Sequence, residues 1–263
     1  MIFIKTEEEV ELCRLSNLLV SRTHAVLANE INEGISTNYL DKIAYEFIMD
    51  NGGRPGFLNY NGFPKSVCIS VNDVVVHGIP SNLLLKDGDI VSIDCGVVIN
   101  GFNGDSAYTF CVGNVKEETK RLLSVTKESL FKGIEKAVVG NTTGDIGYAV
   151  QSHAEKHGYS VVRELVGHGV GKSLHEDPEV PNYGKPGKGF RLRERMVIAI
   201  EPMINMGKRD IYQENDGWTI RTRDHKPSAH FEHSVAIREN QAQILSNFDI
   251  IEEVLKKRNL EIL

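Results

Sequence analysis

The sequence predicts an α/β (α+β) fold in which a helix–helix–hairpin unit occurs twice around a central antiparallel sheet. Two observations lead to this prediction. Helical patterns precede strand patterns in both halves of the 263-residue chain. Segments 34–52 and 84–94 also align, in order, with 140–158 and 191–201, sharing turn and apolar positions. The identities are few, and the alternative is that helix and strand beginnings simply resemble one another.

The domain organisation follows from the same pattern. The two copies would span about 6–112 and 116–238, with no long linker or low-complexity tract between them. A chain of this length with 41% apolar residues can bury a substantial core. We therefore expect a single catalytic domain over 1–263, with the functional site between the two halves.

The composition favours a soluble cytoplasmic protein. A net charge of −6 argues against a dedicated nucleic-acid binder, which is normally basic. The four cysteines form no Cys-x-x-Cys pair, which is typical of reduced thiols. The N-terminus has no apolar signal core, and no apolar run approaches the roughly 18 residues that a membrane span requires.

The helices of the first half have clear beginnings. Thr6 and Glu9 have the spacing of a capping box, so a helix is predicted from there through Val26. A second helix is predicted from about Thr37, with apolar residues on one face, and it should end at Gly52.

The remaining elements are predicted from apolar runs and helical periodicity. Strands are expected at 66–71, 74–76, 90–99 and 106–112 in the first half. In the second half, helices are expected at about 116–138 and 143–157, and strands at 160–166, 196–201, 218–223 and 231–237.

Two aspartates interrupt the apolar hairpin of the first half. Asn100-Gly101 is typical of a two-residue type I′ turn, which would place Asp94 opposite Ala107 and Asp105 diagonally beside it. A bulge at Gly104 would shift this register. Buried carboxylates are costly unless they are paired, protonated or bound to a metal, so two on one face indicate a shared cation.

Three further residues have the same unusual placement. Glu201 ends the apolar run MVIAIE, Glu232 lies in HFEHSVAI, and His168 lies between glycines in VGHGVG. Each alone also fits a turn, an edge strand or a salt bridge. Together the five, among which Asp94 aligns with Glu201 in the repeat, have too many donors for one four-coordinate ion and suit two hard or intermediate divalent ions. These candidate ligands are Asp94, Asp105, His168, Glu201 and Glu232.

Seven motifs in order now resemble a known family. They are VVVHGIP with His77, IDCG, GDSA, GHGVG, SLHEDP with His175, AIEPM and FEH. Their order and context resemble the short bacterial type I methionine aminopeptidases of peptidase family M24, over about residues 5–245. The resemblance implies the pita-bread fold, a pseudo-two-fold arrangement that agrees with the repeat.

The resemblance also implies roles for the candidate residues. Asp94 would hold one metal ion, His168 and Glu201 the other, and Asp105 and Glu232 would bridge them. The ions would be Co, Mn, Fe(II) or Zn. A water between them would lose a proton to Glu201 and attack the first peptide carbonyl.

The same resemblance implies how substrate is bound. His77 and His175 would contact the peptide bond, although His175 alone could be an ordinary loop residue. His230 and His233 would only be neighbours of the ligand strand. An apolar slot for methionine would be formed by Tyr60, Phe63, Cys68, Leu174 and Trp218. Phe63 and Leu174 stand where relatives often have Tyr and Phe, and aromatic residues beside a turn are also common core residues.

Two other functions remain open on the same fold. Prolidase and aminopeptidase P share it but usually carry a large extra N-terminal domain, and a non-catalytic peptide- or ribosome-binding protein would have lost ligands. Type II enzymes carry an insertion between the histidine of GHG and the glutamate of IEP, which this sequence lacks.

The implied partners are nascent polypeptides with N-terminal methionine and the ribosome near its exit tunnel. No membrane or nucleic-acid sequence recognition is expected, and the resemblance implies a monomer. Segment 207–226 is predicted to form a hairpin whose basic residues could contact the ribosome, although interleaved acids nearly cancel their charge. These basic residues are Lys208, Arg209, Arg221, Arg223 and Lys226.

Overall fold

The computed structural model describes residues 2–260 and 262. Five α-helices occur in these residues: α1 (Glu7–Glu30), α2 (Thr37–Asp50), α3 (Glu117–Ile134), α4 (Thr143–Lys156) and α5 (Asp249–Lys257). A short 3₁₀ helix occupies Tyr60–Gly62. None of the helices in this described part is long and apolar enough to cross a membrane.

The strands are short except for the first hairpin. In the first half they are β1 (Arg54–Pro55), β2 (Cys68–Val71), β3 (Val74–Val76), β4 (Ile90–Ile99) and β5 (Phe102–Cys111). In the second half they are β6 (Ser160–Val161), β7 (Gly167–Gly169), β8 (Glu176–Val180), β9 (Val197–Ile200), β10 (Met203–Asn205), β11 (Ile211–Gln213), β12 (Ile220–Thr222), β13 (Ser228–His230), β14 (His233–Ala236) and β15 (Gln243–Ile244).

The predicted helix beginnings are confirmed. Thr6 Oγ1 accepts a hydrogen bond from Glu9 N at 3.2 Å, and Thr6 N donates to Glu9 Oε2 at 3.0 Å, which completes the capping box of α1. At the start of α2, Ser36 Oγ accepts from Tyr39 N at 3.2 Å. Both helices therefore begin where side chains satisfy otherwise unpaired backbone donors.

Three predicted boundaries are wrong. Helix α3 ends at Ile134 rather than near 138, because Val138 instead forms a bridge with Arg238. Strand β6 covers only two residues of 160–166, because backbone bonding to β10 ends at Val162. Strand β5 begins at Phe102 rather than 106, since its polar first residues continue the hairpin ladder.

The hairpin register is the predicted one. Ile99 pairs with Phe102 across the turn, Asp94 pairs with Ala107, and Gly96 pairs with Asp105, without a bulge at Gly104. On the other side of β4, Cys68 of β2 pairs with Asp94. The two long strands thus fix the positions of both aspartates.

The described strands form four hydrogen-bonded sheets. Two are larger, β1–β4–β2 with β5 added to β4, and β15–β14–β9–β7–β8; two are three-stranded, β13–β10–β6 and β11–β12–β3. Glu232 N donates to Ala107 O at 2.9 Å across the junction of the two larger sheets. This junction brings the ligand-bearing strands of both halves together.

Corresponding positions of the two halves make corresponding backbone bonds. Gly34 N donates to Leu85 O at 2.8 Å, and Gly140 N donates to Leu192 O at 3.2 Å. Likewise, Thr37 N donates to Leu83 O at 3.0 Å, and Thr143 N donates to Phe190 O at 2.9 Å. In each half, the loop before a helix is tied to the segment that leads into a ligand-bearing strand.

The hydrophobic core is shared by the two halves. Its largest cluster contains buried side chains from the first half, such as Leu27 and Ile93, and from the second, such as Leu130 and Ile200. Burial of this much apolar surface is the main favourable contribution to folding. The mixed helices and antiparallel sheets confirm the predicted fold class.

Candidate metal centre

The hairpin β4–β5 presents two carboxyl groups to one cavity. Asp94 and Asp105 lie on neighbouring positions of the paired strands, and each carboxyl group shifts the pKa of the other. Asp105 is only 3% exposed. Its backbone N donates to Asn17 Oδ1 of α1 at 3.2 Å, so the helix behind the sheet helps to fix this ligand position.

His168 faces the carboxylates from the neighbouring sheet. Its Nε2 lies 3.8 Å from Asp105 Oδ2 and 3.5 Å from Glu201 Oε1. Its Nδ1 lies 2.9 Å from Gly169 O, and donation to that carbonyl would leave the Nε2 lone pair free. Burial lowers the pKa of His168 to about 3, so the ring is neutral and able to bind a cation.

The glycines beside His168 allow strands to approach closely. A Cβ on Gly167 would lie 2.3 Å from Ala199 O, and one on Gly169 would lie 2.4 Å from Asp177 O. Neither position has room for a side chain. The glycines of GHGVG therefore permit the close backbone approach that places His168.

Glu232 is fixed by a reciprocal pair of serine bonds. Ser106 Oγ on β5 donates to Glu232 O at 2.6 Å, and Ser234 Oγ on β14 donates to Asp105 O at 2.8 Å. Ser106 is adjacent to Asp105 in the chain and bonds the backbone of Glu232. Ser234 is two residues from Glu232 and bonds the backbone of Asp105. The sequence analysis missed both serines, because their partners are distant in the chain.

All five predicted ligands line one cavity of about 240 Å³. Asp105, His168 and Glu232 form the tightest group, with one ligand atom from each lying within 4.8 Å of the others. Glu201 joins through His168, and Asp94 joins through Asp105. The structure thus brings together residues from both halves of the chain.

Burial of these acids has a clear electrostatic signature. Burial raises the pKa of Asp94 to about 7. The pKa values of Asp105, Glu201 and Glu232 are also raised well above their ordinary values, first by burial and then by the neighbouring carboxylates. Four like-charged groups in one cavity need a compensating positive charge.

The donor set fits divalent cations. Asp94 Oδ1, Asp105 Oδ1 and Glu232 Oε1 are buried without a hydrogen-bond partner. The described cavity lining includes no lysine or arginine that could neutralise them. Oxygen donors with one imidazole suit intermediate divalent ions, and bound ions would satisfy both the charge and the unpaired oxygens.

Two further histidines border the ligands. The ring of His175 lies 4.1 Å from that of His168, centroid to centroid, and its Nδ1 hydrogen-bonds the Tyr60 hydroxyl at 2.7 Å. His77 follows β3 with φ of 58°, a left-handed conformation that non-glycine residues rarely adopt. Burial lowers its pKa to about 4, so it is neutral.

An apolar slot adjoins the ligands. The five predicted slot residues line the cavity, and Phe63 packs edge-on against Trp218 with centroids 5.1 Å apart. Phe57 and Asn61 also line it and were missed by the sequence analysis. A Cβ on Gly96 would lie 2.5 Å from the ring of Phe57, so this ring needs a glycine opposite it. An aromatic residue matched with a glycine was therefore the sequence signal that could have identified Phe57.

The remaining histidines of the ligand strand differ from each other. His233 stacks on Phe248 at 3.7 Å and hydrogen-bonds Ser246, away from the cavity lining. His230 lies behind Glu201, with its Nε2 3.8 Å from Glu201 Oε2. His230 is therefore closer to the centre than a simple neighbour of the strand.

The basic segment forms the predicted hairpin, with β11 paired to β12. Trp218 lies near its tip and reaches the cavity. Arg221 is paired with Asp73 at 2.6 Å and with Glu214, so its charge is compensated. The other four basic residues are exposed at the base of the hairpin: Lys208, Arg209, Arg223 and Lys226.

Comparison with known proteins identifies the class of the molecule. The model of metallopeptidase family M24 matches residues 11–239. The chain therefore belongs to metallopeptidase family M24, whose members use divalent metal ions.

Within this family, similar proteins have one activity in common. The methionine aminopeptidase of Clostridium perfringens is 52% identical over 246 residues, covering 94% of this chain and 99% of that protein. The crystal structure of methionine aminopeptidase from Rickettsia prowazekii has a TM-score of 0.93 at 43% identity, covering 94% of this chain and 100% of that one. The resemblance inferred from the motifs and the pita-bread fold are confirmed.

More distant members share only the fold. The prolidase from Pyrococcus horikoshii has a TM-score of 0.75 at 24% identity, and the match covers 93% of this chain but 63% of the prolidase. This difference in length agrees with the larger size expected for prolidases.

Proposed function

We propose that the chain is a type I methionine aminopeptidase that removes N-terminal methionine from nascent proteins when the second residue is small. The observation that carries the proposal is a single cavity in which a buried apolar slot opens onto four carboxylates and an imidazole. The relatives with matching length and about half identical residues support it.

The donor set supports a dinuclear centre. Asp94, Asp105, His168, Glu201 and Glu232 would hold two divalent ions, with Asp105 and Glu232 shared between them. Co, Mn, Fe(II) and Zn all suit such oxygen and nitrogen donors. When bound, the ions polarise the first peptide carbonyl and bring the pKa of a bound water towards neutrality.

The protein side chains divide the remaining work. Glu201 accepts the proton that the attacking water loses. His77 and His175, both neutral, hydrogen-bond the peptide group and the developing tetrahedral intermediate. The Tyr60 hydroxyl holds one nitrogen of His175, which orients the other towards substrate.

The apolar slot accounts for selectivity. Cys68, Phe63 and Leu174 are nearly fully buried, and Tyr60 and Trp218 complete the walls. Aromatic rings contact a thioether sulfur favourably, so methionine should be preferred over leucine. The confined cavity favours a small second residue.

We infer a single catalytic domain over 1–263 with internal copies at about 6–112 and 116–238. The matched backbone bonds of the two halves and their shared core support this organisation. We also propose that the enzyme acts as a cytoplasmic monomer.

A turnover assay tests the activity directly. Protein purified without chelator should release methionine from Met-Ala-Ser in proportion to its bound metal, and should lose this activity after chelation. Ala-Ala-Ser, Leu-Ala-Ser and Met-Arg-Ser should react far more slowly. Cleavage of Xaa-Pro peptides instead would indicate a prolidase-like enzyme, and metal-loaded protein without turnover would indicate a peptide-binding protein.

We further propose that the exposed basic base of the hairpin, Lys208, Arg209, Arg223 and Lys226, contacts the ribosome near the exit tunnel. Phosphate contacts weaken as salt rises. Lys208→Glu with Arg209→Glu should reduce ribosome co-sedimentation at low salt while tripeptide cleavage stays unchanged. Unchanged co-sedimentation would contradict the proposal.

A further inference from the structure

A buried ion pair ties the N-terminal arm, residues 2–5, to the segment that carries His175. Lys5 Nζ is bonded to Glu176 Oε2, and both side chains are only 5% exposed. The arm is itself anchored, since Lys5 N donates to Arg195 O at 3.1 Å and Ile2 forms a bridge with Asp177. Lysine is seldom buried to this degree unless it is paired.

Glu176 in turn holds the loop 171–175, which we call the histidine loop. Its Oε1 accepts from Ser173 N at 3.2 Å, while its Oε2 binds Lys5. A Cβ on Gly171 would lie 2.5 Å from Glu176 Oε1 and 2.8 Å from Lys5 Nζ. The ion pair therefore packs directly on the backbone at the start of the loop.

The histidine loop has a second anchor on the metal-ligand hairpin. Asn103 Nδ2 donates to Gly171 O at 2.9 Å and to Lys172 O at 3.1 Å, and Asn103 N also donates to Gly171 O. Asn103 precedes the ligand Asp105 by two residues on β5. The histidine loop thus lies between the β4–β5 hairpin and the N-terminal arm.

The residues held between these anchors face the cavity. Leu174 is 4% exposed and forms a wall of the slot, and His175 packs on His168. A displacement of the loop would move a slot wall and a substrate-binding imidazole together. Small misplacements of such groups cost much turnover, because reaction requires near-ideal geometry.

Stability alone does not account for a charged pair at this position. Buried ion pairs contribute little net stability compared with well-packed apolar side chains. An apolar pair, however, could not accept the hydrogen bond of Ser173 N. The loop is therefore fixed by the hydrogen bond that Glu176 can accept while it is paired with Lys5, rather than by the attraction between the two charges.

We propose that Lys5 is a positioning residue for turnover, acting through Glu176 to hold the histidine loop in its reactive place; the kinetic part of this inference rests on the proposed aminopeptidase activity. The N-terminal arm, which lines no part of the described cavity, would thereby contribute to catalysis.

The test compares Lys5→Met with Lys127→Met in full-length, metal-loaded protein. Lys127 forms a largely buried pair with Glu252, with the two side chains 13% and 19% exposed, that joins α3 to α5 outside the cavity lining. At a temperature where both variants are folded, Lys5→Met should lower kcat at least tenfold and change KM less than threefold. Lys127→Met should leave both within twofold, and Lys5→Arg should restore at least a third of the lost kcat.

Amide hydrogen exchange supplies a readout that does not depend on activity. Exchange at residues 171–176 should be at least tenfold faster in Lys5→Met and unchanged in Lys127→Met. Unchanged exchange in Lys5→Met, or wild-type kcat together with lowered thermal stability, would overturn the inference. Failure of the wild-type protein to release methionine would refute the proposed activity, while the exchange result would still decide whether Lys5 holds the loop.

Discussion

The two halves of the molecule position their candidate metal ligands in different ways. In the first half, a continuous hairpin of two ten-residue strands holds Asp94 and Asp105 by a regular ladder. In the second half, His168, Glu201 and Glu232 lie in or beside strands of three or four residues. Their positions depend on glycines that let neighbouring strands approach closely, and on serine hydrogen bonds to the other half. One half is therefore held mainly by local pairing, and the other mainly by contacts across the junction.

The halves also differ in what they present to a substrate. The second half carries the histidine loop and the β11–β12 hairpin with Trp218, whereas the first contributes His77 and most of the slot floor. The second half thus presents a loop and a short hairpin to the cavity, while the first half presents the long β4–β5 hairpin. Variants in matched positions test whether the halves are equally important.

The largest expected effect is at Asp105 and Glu232, the two proposed shared ligands, one from each half. Asp105→Asn and Glu232→Gln should each lower kcat/KM at least about a thousandfold, or ~4 kcal/mol, because each would remove a donor from both proposed ions. Metal content, measured by elemental analysis, should fall in parallel. Asp87→Asn, on an exposed turn beside the same hairpin, is the control. An active Glu232→Gln protein would show that Glu232 is not needed to hold the metal.

The next effect compares the two histidines proposed to bind substrate. His175→Ala and His77→Ala should each lower kcat about a hundredfold with little change in KM, because their hydrogen bonds strengthen in the transition state. Steady-state kinetics on Met-Ala-Ser measures this. A change in KM alone for His175 would mean that the loop only binds substrate.

A smaller effect is expected in the slot. Trp218→Ala removes a ring that packs on Phe63 and His77, so KM for methionyl peptides should rise about tenfold, or ~1.4 kcal/mol. Cys68→Ala removes only a small buried group and should raise KM less than threefold. The preference for Met-Ala-Ser over Leu-Ala-Ser, assayed for both variants, would fall only in Trp218→Ala. An equal loss of this preference in both variants would mean that neither residue alone determines the selectivity of the slot.

The smallest effect concerns the matched threonines of the two halves. Thr37 Oγ1 accepts from Ser81 N at 2.8 Å and donates to Ser81 O at 3.0 Å, whereas Thr143 Oγ1 accepts from Phe190 N at 3.2 Å. Thr37→Val should therefore lower the free energy of unfolding by about 2 kcal/mol and Thr143→Val by about 1 kcal/mol. Urea unfolding measures both. A larger loss at Thr143 would reverse the order expected from these bonds.

The contrast between the halves also explains what could be predicted from sequence. The hairpin of Asp94 and Asp105 was predicted in register, because a two-residue Asn-Gly turn and strand alternation are local rules. The short strands β7, β10 and β13 were not predicted, because their pairing depends on distant partners. Burial and long-range contact override local propensity in such segments.

The candidate site followed the same rule. The five candidate ligands were identified as acids and a histidine in apolar or glycine-rich segments, and they line one cavity. The reciprocal serines and the proximity of His230 to Glu201 were not predictable, since they depend on the docking of one half on the other. Motif order supplied the roles that spacing alone left open.

The reciprocal serine bonds have a consequence for how the chain folds. They join residues 126 and 129 positions apart, whereas the hairpin that supplies Asp94 and Asp105 closes through adjacent strands. Long loops must be closed before such contacts form, and contacts of high sequence separation slow folding. During refolding, the first hairpin should acquire protected amides before the junction does. High-affinity cation uptake would then report the last event, when the two halves meet.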